Sequence, residues 1–538
     1  MRSYHLFLLS VLSGLLFSLS WPERGFPLLL FVAFIPLLII ENHFLNRKKE
    51  TSVFSIIPYV FPAFFLWNLL TTWWIVHSTV VGAALAIVLN SIFMTFWFVL
   101  FHFTHRSFIK KSQSFLTLIF FWITFEFIHH HWDLNWPWLS LGNGFSAYPK
   151  LIQWYEFTGV FGGSLWILII NIMLFNAGSY LVKNYSVRRL TIEICKVSLV
   201  ILIPVIISLT IYYNYNSDNG QAVDVVVVQP NIDPYTEQYE LDPLYVVDRN
   251  WDLAVRKLDR NVDFIVCPES AIQEYIWEHK IEYSESIRQF KKYLQHFPDA
   301  GIVIGLSSRK VYGEGEIPSS TSRQFTDGVF YYDAYNTAVL IDTSDVLQLY
   351  HKSKLTPGVE QMPLTRYLKF IERLAIDLGG TVGSLGVDAE RTPFVTNKGL
   401  KVATAICYES VYGEFISGFI RNGAQMIFVI TNDGWWENSP GHRQHLLFSV
   451  VRAVETRRYI ARSANTGISC FINKRGDIIQ PTAYWEPAVI RQVIYTGEGE
   501  TFYVRYGDYI ARISAFGSVI MLLSAIIFLF KNRSKLII

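Results

Sequence analysis

The chain has 538 residues, of which 51% are hydrophobic, 16% aromatic and only 17% charged. That is too long for one ordinary domain and too apolar for a wholly soluble protein, so membrane spans are expected. A formal net charge of +2 gives no reason to expect a nucleic-acid partner, and four scattered cysteines without a CxxC pair (Cys195, Cys267, Cys407, Cys470) indicate neither a zinc site nor a disulfide framework.

A bilayer core about 30 Å thick takes roughly 20 apolar residues as a helix. Seven stretches before residue 215 come close, at about 4–21, 26–41, 54–76, 79–103, 115–131, 158–181 and 197–213, and an eighth runs from about 509 to 530. The first resembles a signal peptide in length, but no small-residue cleavage site follows, so it reads as a retained span. Cations gather at alternate connections: Arg2; Arg47, Lys48 and Lys49; Arg106, Lys110 and Lys111; Lys183, Arg188, Arg189 and Lys196; and Lys531, Arg533 and Lys535. Arg24 and Lys150 are the exceptions. The positive-inside rule then puts both termini in the cytoplasm and the segment between spans seven and eight outside, in the periplasm of a bacterium. The expected organisation is a seven-helix bundle (1–215), a periplasmic catalytic domain (216–508) and a final span with a short tail (509–538).

Within the spans, Glu126 is a costly intramembrane carboxylate that either faces a cavity or makes a helix-packing hydrogen bond. His129, His130 and His131 lie beside Trp132, Trp136 and Trp138 and read as interfacial residues rather than metal ligands, since no carboxylate stands at ligand spacing. The aromatic, Gly-rich segment 135–148 (NWPWLSLGNGFSAY) reads as an outer-face loop at the lipid headgroups.

From residue 224 the pattern changes. Short continuous apolar runs recur at 224–232 (DVVVVQPNI), 263–270, 300–308, 335–342, 401–410 (KVATAICYES) and 424–433, with a later group from 468. Such runs mark strands buried on both faces. Helical patterns at 242–258 and 442–463 lie between them, so an α/β domain with helix-covered sheet is expected. Stretches 309–328 and 379–391 read as loops and candidate flaps.

Three strand ends carry reactive groups: Glu269, then Lys352 after the strand through Leu340 and a short turn, and Cys407. Open α/β sheets place ligands at the carboxyl ends of strands. There Glu269 would act as general base, Lys352 would favour a thiolate and an oxyanion, and Cys407 would attack an acyl carbon. Taken singly, each has a plainer reading: a buried cysteine, a surface lysine, a carboxylate capping a helix. Their common placement, in the order Glu, Lys, Cys, is what points to chemistry.

That order, with CPES (267–270), YHKxxL (350–355) and ICYES (406–410) around it, resembles the nitrilase, or carbon–nitrogen hydrolase, superfamily over roughly 222–500. The segments SGLLFSLSWP (13–22), WPWLSLG (136–142), TNDGWW (431–436), 443–469 and TFYVRYGD (501–508), with the eight spans, resemble the apolipoprotein N-acyltransferase family over nearly the whole chain. The resemblance implies a polytopic helical bundle of about eight spans joined to an extracytoplasmic nitrilase-like α/β sandwich in the bacterial inner membrane. It implies transfer of an acyl chain from a phospholipid, typically phosphatidylethanolamine, to the amine of a diacylglyceryl-cysteine lipoprotein. It makes Glu269 the base, Lys352 the stabilising cation and Cys407 the nucleophile, with Glu360, Asn336, Tyr408 and Glu409 in support. The family's Pro-Phe-Gly-Glu turn is Pro357-Gly358-Val359-Glu360 here, and Tyr239 stands where a tryptophan is common. Tyr239 is a candidate lipid contact. Trp435 and Trp436 are either lipid contacts or sheet-edge packing, and His442 and His445 read as helix-surface residues. Nothing calls for a metal or organic cofactor. A membrane-tethered amidase and a non-enzymatic transporter or scaffold are the competing readings.

Overall fold

The computed structural model describes residues 1–107, 115–184, 187–325, 328, 330–361 and 384–534. Lys110, Lys111, Lys535 and the 379–383 part of the expected second flap lie outside the described residues. The chain divides into two compact units: Met1–Val76 with Val80–Asn214 and Tyr506–Ile538, and His77–Thr79 with Tyr215–Arg505.

In the first unit, seven helices among the described residues are long and apolar enough to cross a membrane: Ser3–Ser20, Pro27–Asn46, Val53–His77, Val80–Ser107, Tyr155–Leu181, Arg188–Asn214 and Tyr509–Lys531. They mark a multi-pass membrane protein. Within the expected fifth span lies the shorter apolar helix Leu116–Ile128, of 13 residues. Segment 135–148 also departs from expectation. Most of it is buried in this unit, folded as the 3₁₀ turns Pro137–Leu139 and Leu141–Phe145 with Trp138, Leu141 and Phe145 inside. Irregular backbone is tolerated in a membrane bundle where protein satisfies its polar groups, and Glu126 does so here. One Glu126 oxygen accepts from Trp122 Nε1 at 3.0 Å and from Leu141 N at 2.9 Å, and the other from Ser164 Oγ at 2.6 Å. Gly142 is required at the apex, because a Cβ there would lie 2.1 Å from the Val160 carbonyl oxygen. Glu126 therefore makes packing hydrogen bonds, and it also lines a small cavity with Asn90, Met94 and His129. His129 and His130 are buried beside it, contacting Trp132 Nε1 (3.3 Å) and Ser140 Oγ (3.4 Å). Glu126→Leu is expected to leave buried donors unpaired and cost about 2–4 kcal/mol, while Glu126→Gln costs less; thermal unfolding of the protein in detergent checks the order.

The second unit is built on two sheets. The chain first lays down β1 (Ala222–Gln229), β2 (Phe264–Val266), β3 (Ile272–Trp277), β4 (Gly301–Val311), β5 (Arg323–Gln324), β6 (Tyr331–Ile341) and β7 (Gln348–His351). It then forms β8 (Phe394–Val395), β9 (Lys401–Ile406), β10 (Met426–Thr431), β11 (Ile460–Ala464), β12 (Cys470–Ile472) and β13 (Ile478–Ile479), and returns to the first sheet as β14 (Ala488–Tyr495). The first sheet runs β14-β1-β2-β4-β6-β5, with β3 on β4 and β7 on β6; the second runs β13-β12-β11-β10-β9-β8. β1, β2 and β4 pair in parallel, as do β9, β10 and β11, which explains their unbroken apolar runs. Phe264 of β2 meets Phe428 of β10 edge to face at 5.0 Å, joining the two sheets. Helices Pro243–Ala254 and Glu285–Leu294 cover the first sheet through Val247, Phe290 and Leu294, capped by the Asp242 and Ser284 side chains. Helices Gly413–Arg421 and Pro440–Thr456 pack with the second. The last helix stops seven residues before the expected 463, because Arg457 turns into a left-handed cap (φ 52) and the chain enters β11. Likewise β4 and β5 take up parts of the expected loop 309–328.

Candidate active site

Cys407 directly follows β9 and has φ 50, a strained value for a residue with a Cβ. The strand ends there because Glu409, wholly buried, folds back on it. Its Oε2 accepts from Ile406 N at 2.8 Å, while Oε1 accepts from Tyr350 OH and Ser353 N, each at 2.6 Å. One carboxylate thus ties the cysteine elbow to the residues flanking Lys352. Burial pushes the Glu409 carboxyl up to about 7, with the Ser353 N–H and Tyr350 hydroxyl opposing. Tyr408, beside Cys407, is buried edge to face on Tyr412 at 5.3 Å.

Glu269 leaves β2 through Cys267 and Pro268 and lies against β4 at Gly305, where a Cβ would come within 2.7 Å of the Glu269 Cα. Lys352 is the residue after β7, and Asn336 lies on the neighbouring β6, whose carbonyl accepts from Lys352 N at 2.8 Å. The side chains converge. Lys352 Nζ donates to Glu269 Oε1 at 2.9 Å and to Glu360 Oε1 at 2.8 Å. Asn336 Nδ2 donates to the same two oxygens at 2.8 and 2.9 Å. Glu360 Oε2 accepts from Thr356 N (2.9 Å), and Glu269 Oε2 from Asn432 N (3.2 Å).

Burial alone would favour a neutral Lys352 amine, but the charges of Glu269 and Glu360 hold its pKa well above the ordinary lysine value. Burial likewise raises Glu360, yet Lys352 outweighs it and the carboxyl stays below its usual range. The Cys407 thiol goes the other way. Burial, then the Glu269 charge, push it far above the ordinary thiol range, and Lys352 opposes only in part. Glu269 is the carboxylate whose charge the thiol feels most.

A second cluster lies behind the elbow. Asp433 Oδ1 accepts from Thr431 Oγ1 at 2.8 Å and faces His445 Nδ1 at 2.9 Å, and Oδ2 accepts from Arg462. His445 Nε2 lies 3.1 Å from the Cys407 carbonyl and 3.0 Å from Ser410 Oγ. His442 and His445 are both wholly buried, not on the helix surface as expected. Cys407, Asp433 and His445 bring ligand-type atoms within 4.8 Å of one another, but the histidine and carboxylate atoms are already used in this network. The cue in the sequence was Asp433 two residues past a buried strand. Trp436 packs edge to face on His445 at 5.5 Å, and Trp435 does the same on Tyr235 at 5.2 Å. Both tryptophans and Tyr239 are half-buried. Tyr239 adjoins Gln238, whose amide donates to the Ser270 carbonyl at 3.2 Å.

A buried carboxylate and ammonium thus gather near a half-buried thiol at strand ends of a two-sheet α/β unit. The family description "Carbon-nitrogen hydrolase" matches residues 224–495, half of the chain, and the chain belongs to that family. Residues 13–173 match "Apolipoprotein N-acyltransferase N-terminal domain". Curated proteins named apolipoprotein N-acyltransferase align over nearly the whole length. The one from Chlorobaculum tepidum is 29% identical, covering 94% of each chain. That from Geobacter metallireducens is 27% identical, covering 96% of this chain and 94% of its own. That from Thermotoga maritima is 25% identical, covering 95% and 92%.

Proposed function

We propose that this protein is an N-acyltransferase of the bacterial inner membrane, with its catalytic unit on the periplasmic side. It moves a fatty acyl chain from a phospholipid, with phosphatidylethanolamine the expected donor, to the α-amine of a diacylglyceryl-cysteine lipoprotein. The observation that carries this reading is the hydrogen-bonded cluster Glu269–Lys352–Glu360–Asn336 beside Cys407, in a chain that also matches the acyltransferase N-terminal domain. That second match favours transfer between lipids over hydrolysis of a small amide.

Cys407 Sγ attacks the ester carbonyl carbon as Glu269 takes the thiol proton. An ammonium has three N–H donors, and Lys352 spends two on carboxylates, leaving one for the oxyanion. The tetrahedral intermediate collapses, the C–O bond breaks, and the departing lysophospholipid oxygen receives the proton from Glu269. The acyl group stays on sulfur as a thioester. The neutral amine of the lipoprotein then attacks, Glu269 takes its proton, the C–S bond breaks, and the sulfur is reprotonated. Asn336 and Glu360 keep Glu269 and Lys352 in place; Glu409 and Tyr408 hold the elbow.

Detergent-purified protein incubated with phosphatidylethanolamine and a diacylglyceryl lipopeptide is expected to yield lysophospholipid and N-acylated lipopeptide in equal amounts by mass spectrometry. Ammonia release from small amides with no lysophospholipid would replace this reading with the amidase.

A further inference from the structure

His351, between Tyr350 and Lys352, points away from both of their clusters into a third. Its Nε2 lies 2.8 Å from Glu278 Oε1 and its Nδ1 3.0 Å from Asp388 Oδ1, while its backbone N–H donates to Asp388 Oδ2 at 2.9 Å. Carboxylates only accept, so both ring nitrogens carry protons and the ring is an imidazolium. It stacks on Tyr335 with centroids 4.0 Å apart. Glu278 also accepts from Ser308 Oγ at 2.7 Å, and Lys310 acts on both carboxylates.

Asp388 belongs to a strap that is stitched to the catalytic residues. Leu385 N donates to the Glu360 carbonyl and Gly386 N to the Ala334 carbonyl, each at 2.9 Å, and Ser353 Oγ donates to the Asp388 carbonyl at 2.9 Å. The strap must be glycine at 386, where a Cβ would lie 2.3 Å from the Tyr335 ring. The contacts of the strap thus reach His351, Ser353 and Glu360, the flanks of Lys352 and the carboxylate that pairs with it.

We infer that the His351 imidazolium, clamped between Glu278 and Asp388, is a positioning residue that sets Lys352 and Glu360 for thioester formation. This rests on the acyl-transfer reading above. Burial works against the charged ring, but Asp388 and Glu278 outweigh it and raise its pKa to about 9. A raised histidine contributes fully below its ordinary value near 6.5 and loses its contribution as pH rises through about 9. Tyr335 beside it ionises far higher. On the acid side, Glu278 and Asp388 sit below their ordinary values and release the clamp only as pH falls through those.

The test is the rate of acyl-adduct formation on Cys407 from phosphatidylglycerol vesicles, whose headgroup does not titrate in this range, followed by mass spectrometry from pH 7 to 10. The wild-type rate is expected to fall through about pH 9. His351→Gln should be on the order of 10- to 100-fold slower at neutral pH, with the half-saturating lipid concentration unchanged and no alkaline limb. Asp388→Asn should move the limb to lower pH, and it carries the test if the histidine variant does not fold. A limb at the same pH in all three proteins overturns the inference. If the wild type forms no adduct from phosphatidylglycerol or from phosphatidylethanolamine, the acyl-transfer reading fails instead. The same three profiles are then read from peptide-resolved alkylation of Cys407 by iodoacetamide, which also needs Glu269 held by Lys352 to remove the thiol proton.

Discussion

Cys407→Ala is expected to abolish the hydroxylamine-labile acyl adduct and to lower lipopeptide acylation on the order of 10⁴-fold or more, the scale seen when a nucleophile is removed from a covalent mechanism. The fold should survive. Cysteine already occupies the left-handed region at φ 50, so alanine adds no backbone strain there, and the elbow stays tied by Glu409 to Ile406, Tyr350 and Ser353. Thermal unfolding within a few degrees of wild type, with phospholipid still bound, separates loss of chemistry from loss of structure. Cys407→Ser is a further check. Its hydroxyl ionises too high for Glu269 to activate well, and any ester it formed would resist hydroxylamine at neutral pH. An acyl group retained by the alanine variant would place the nucleophile elsewhere and end the proposed mechanism.

Parallel strands buried on both faces write themselves as apolar runs, and a chain that must stop such a run shows it. Glu269 follows Cys267-Pro268 and Cys407 follows β9, so these two were visible as residues that break a strand, whereas Lys352 follows β7, a short antiparallel strand that is only partly buried and showed no apolar run of its own. Their mutual contacts bring together segments about 55 to 140 residues apart, which no local pattern states, and only the order Glu, Lys, Cys hinted at them. Of the Asp433–His445–Arg462 network only Asp433, two residues past β10, left such a trace. On a helix, His442 and His445 three residues apart look solvated, yet Pro440–Thr456 is buried on nearly every side. A charged network inside a domain is set by tertiary partners, and side-chain period does not report it. Segment 135–148 failed for a related reason: glycine and tryptophan suggest a surface loop until Glu126, a span away, is seen to satisfy its backbone.

Lys352→Met is the second large effect, and here stability and catalysis should part. The lysine is buried with Glu269 and Glu360, donating to both. Methionine keeps the stem but leaves two carboxylates facing each other without a cation, which costs about 3–5 kcal/mol for a broken buried pair. One of them then holds a proton at neutral pH. The proton held by the pair leaves Glu269 less available to accept another, the oxyanion loses its donor, and thioester formation should drop on the order of 10³-fold or more. The pH dependence should also reverse. In the wild type Glu360 is held below its ordinary value, so its contribution fades as pH falls through its folded pKa. In the variant the folded state binds the extra proton more tightly than the unfolded chain, so acidification should stabilise it. Adding Glu360→Gln to Lys352→Met removes one of the two charges and should restore much of the melting temperature at neutral pH while activity stays lost. If the double variant recovers activity as well, Lys352 serves only to neutralise Glu360, and the oxyanion must be held by another donor.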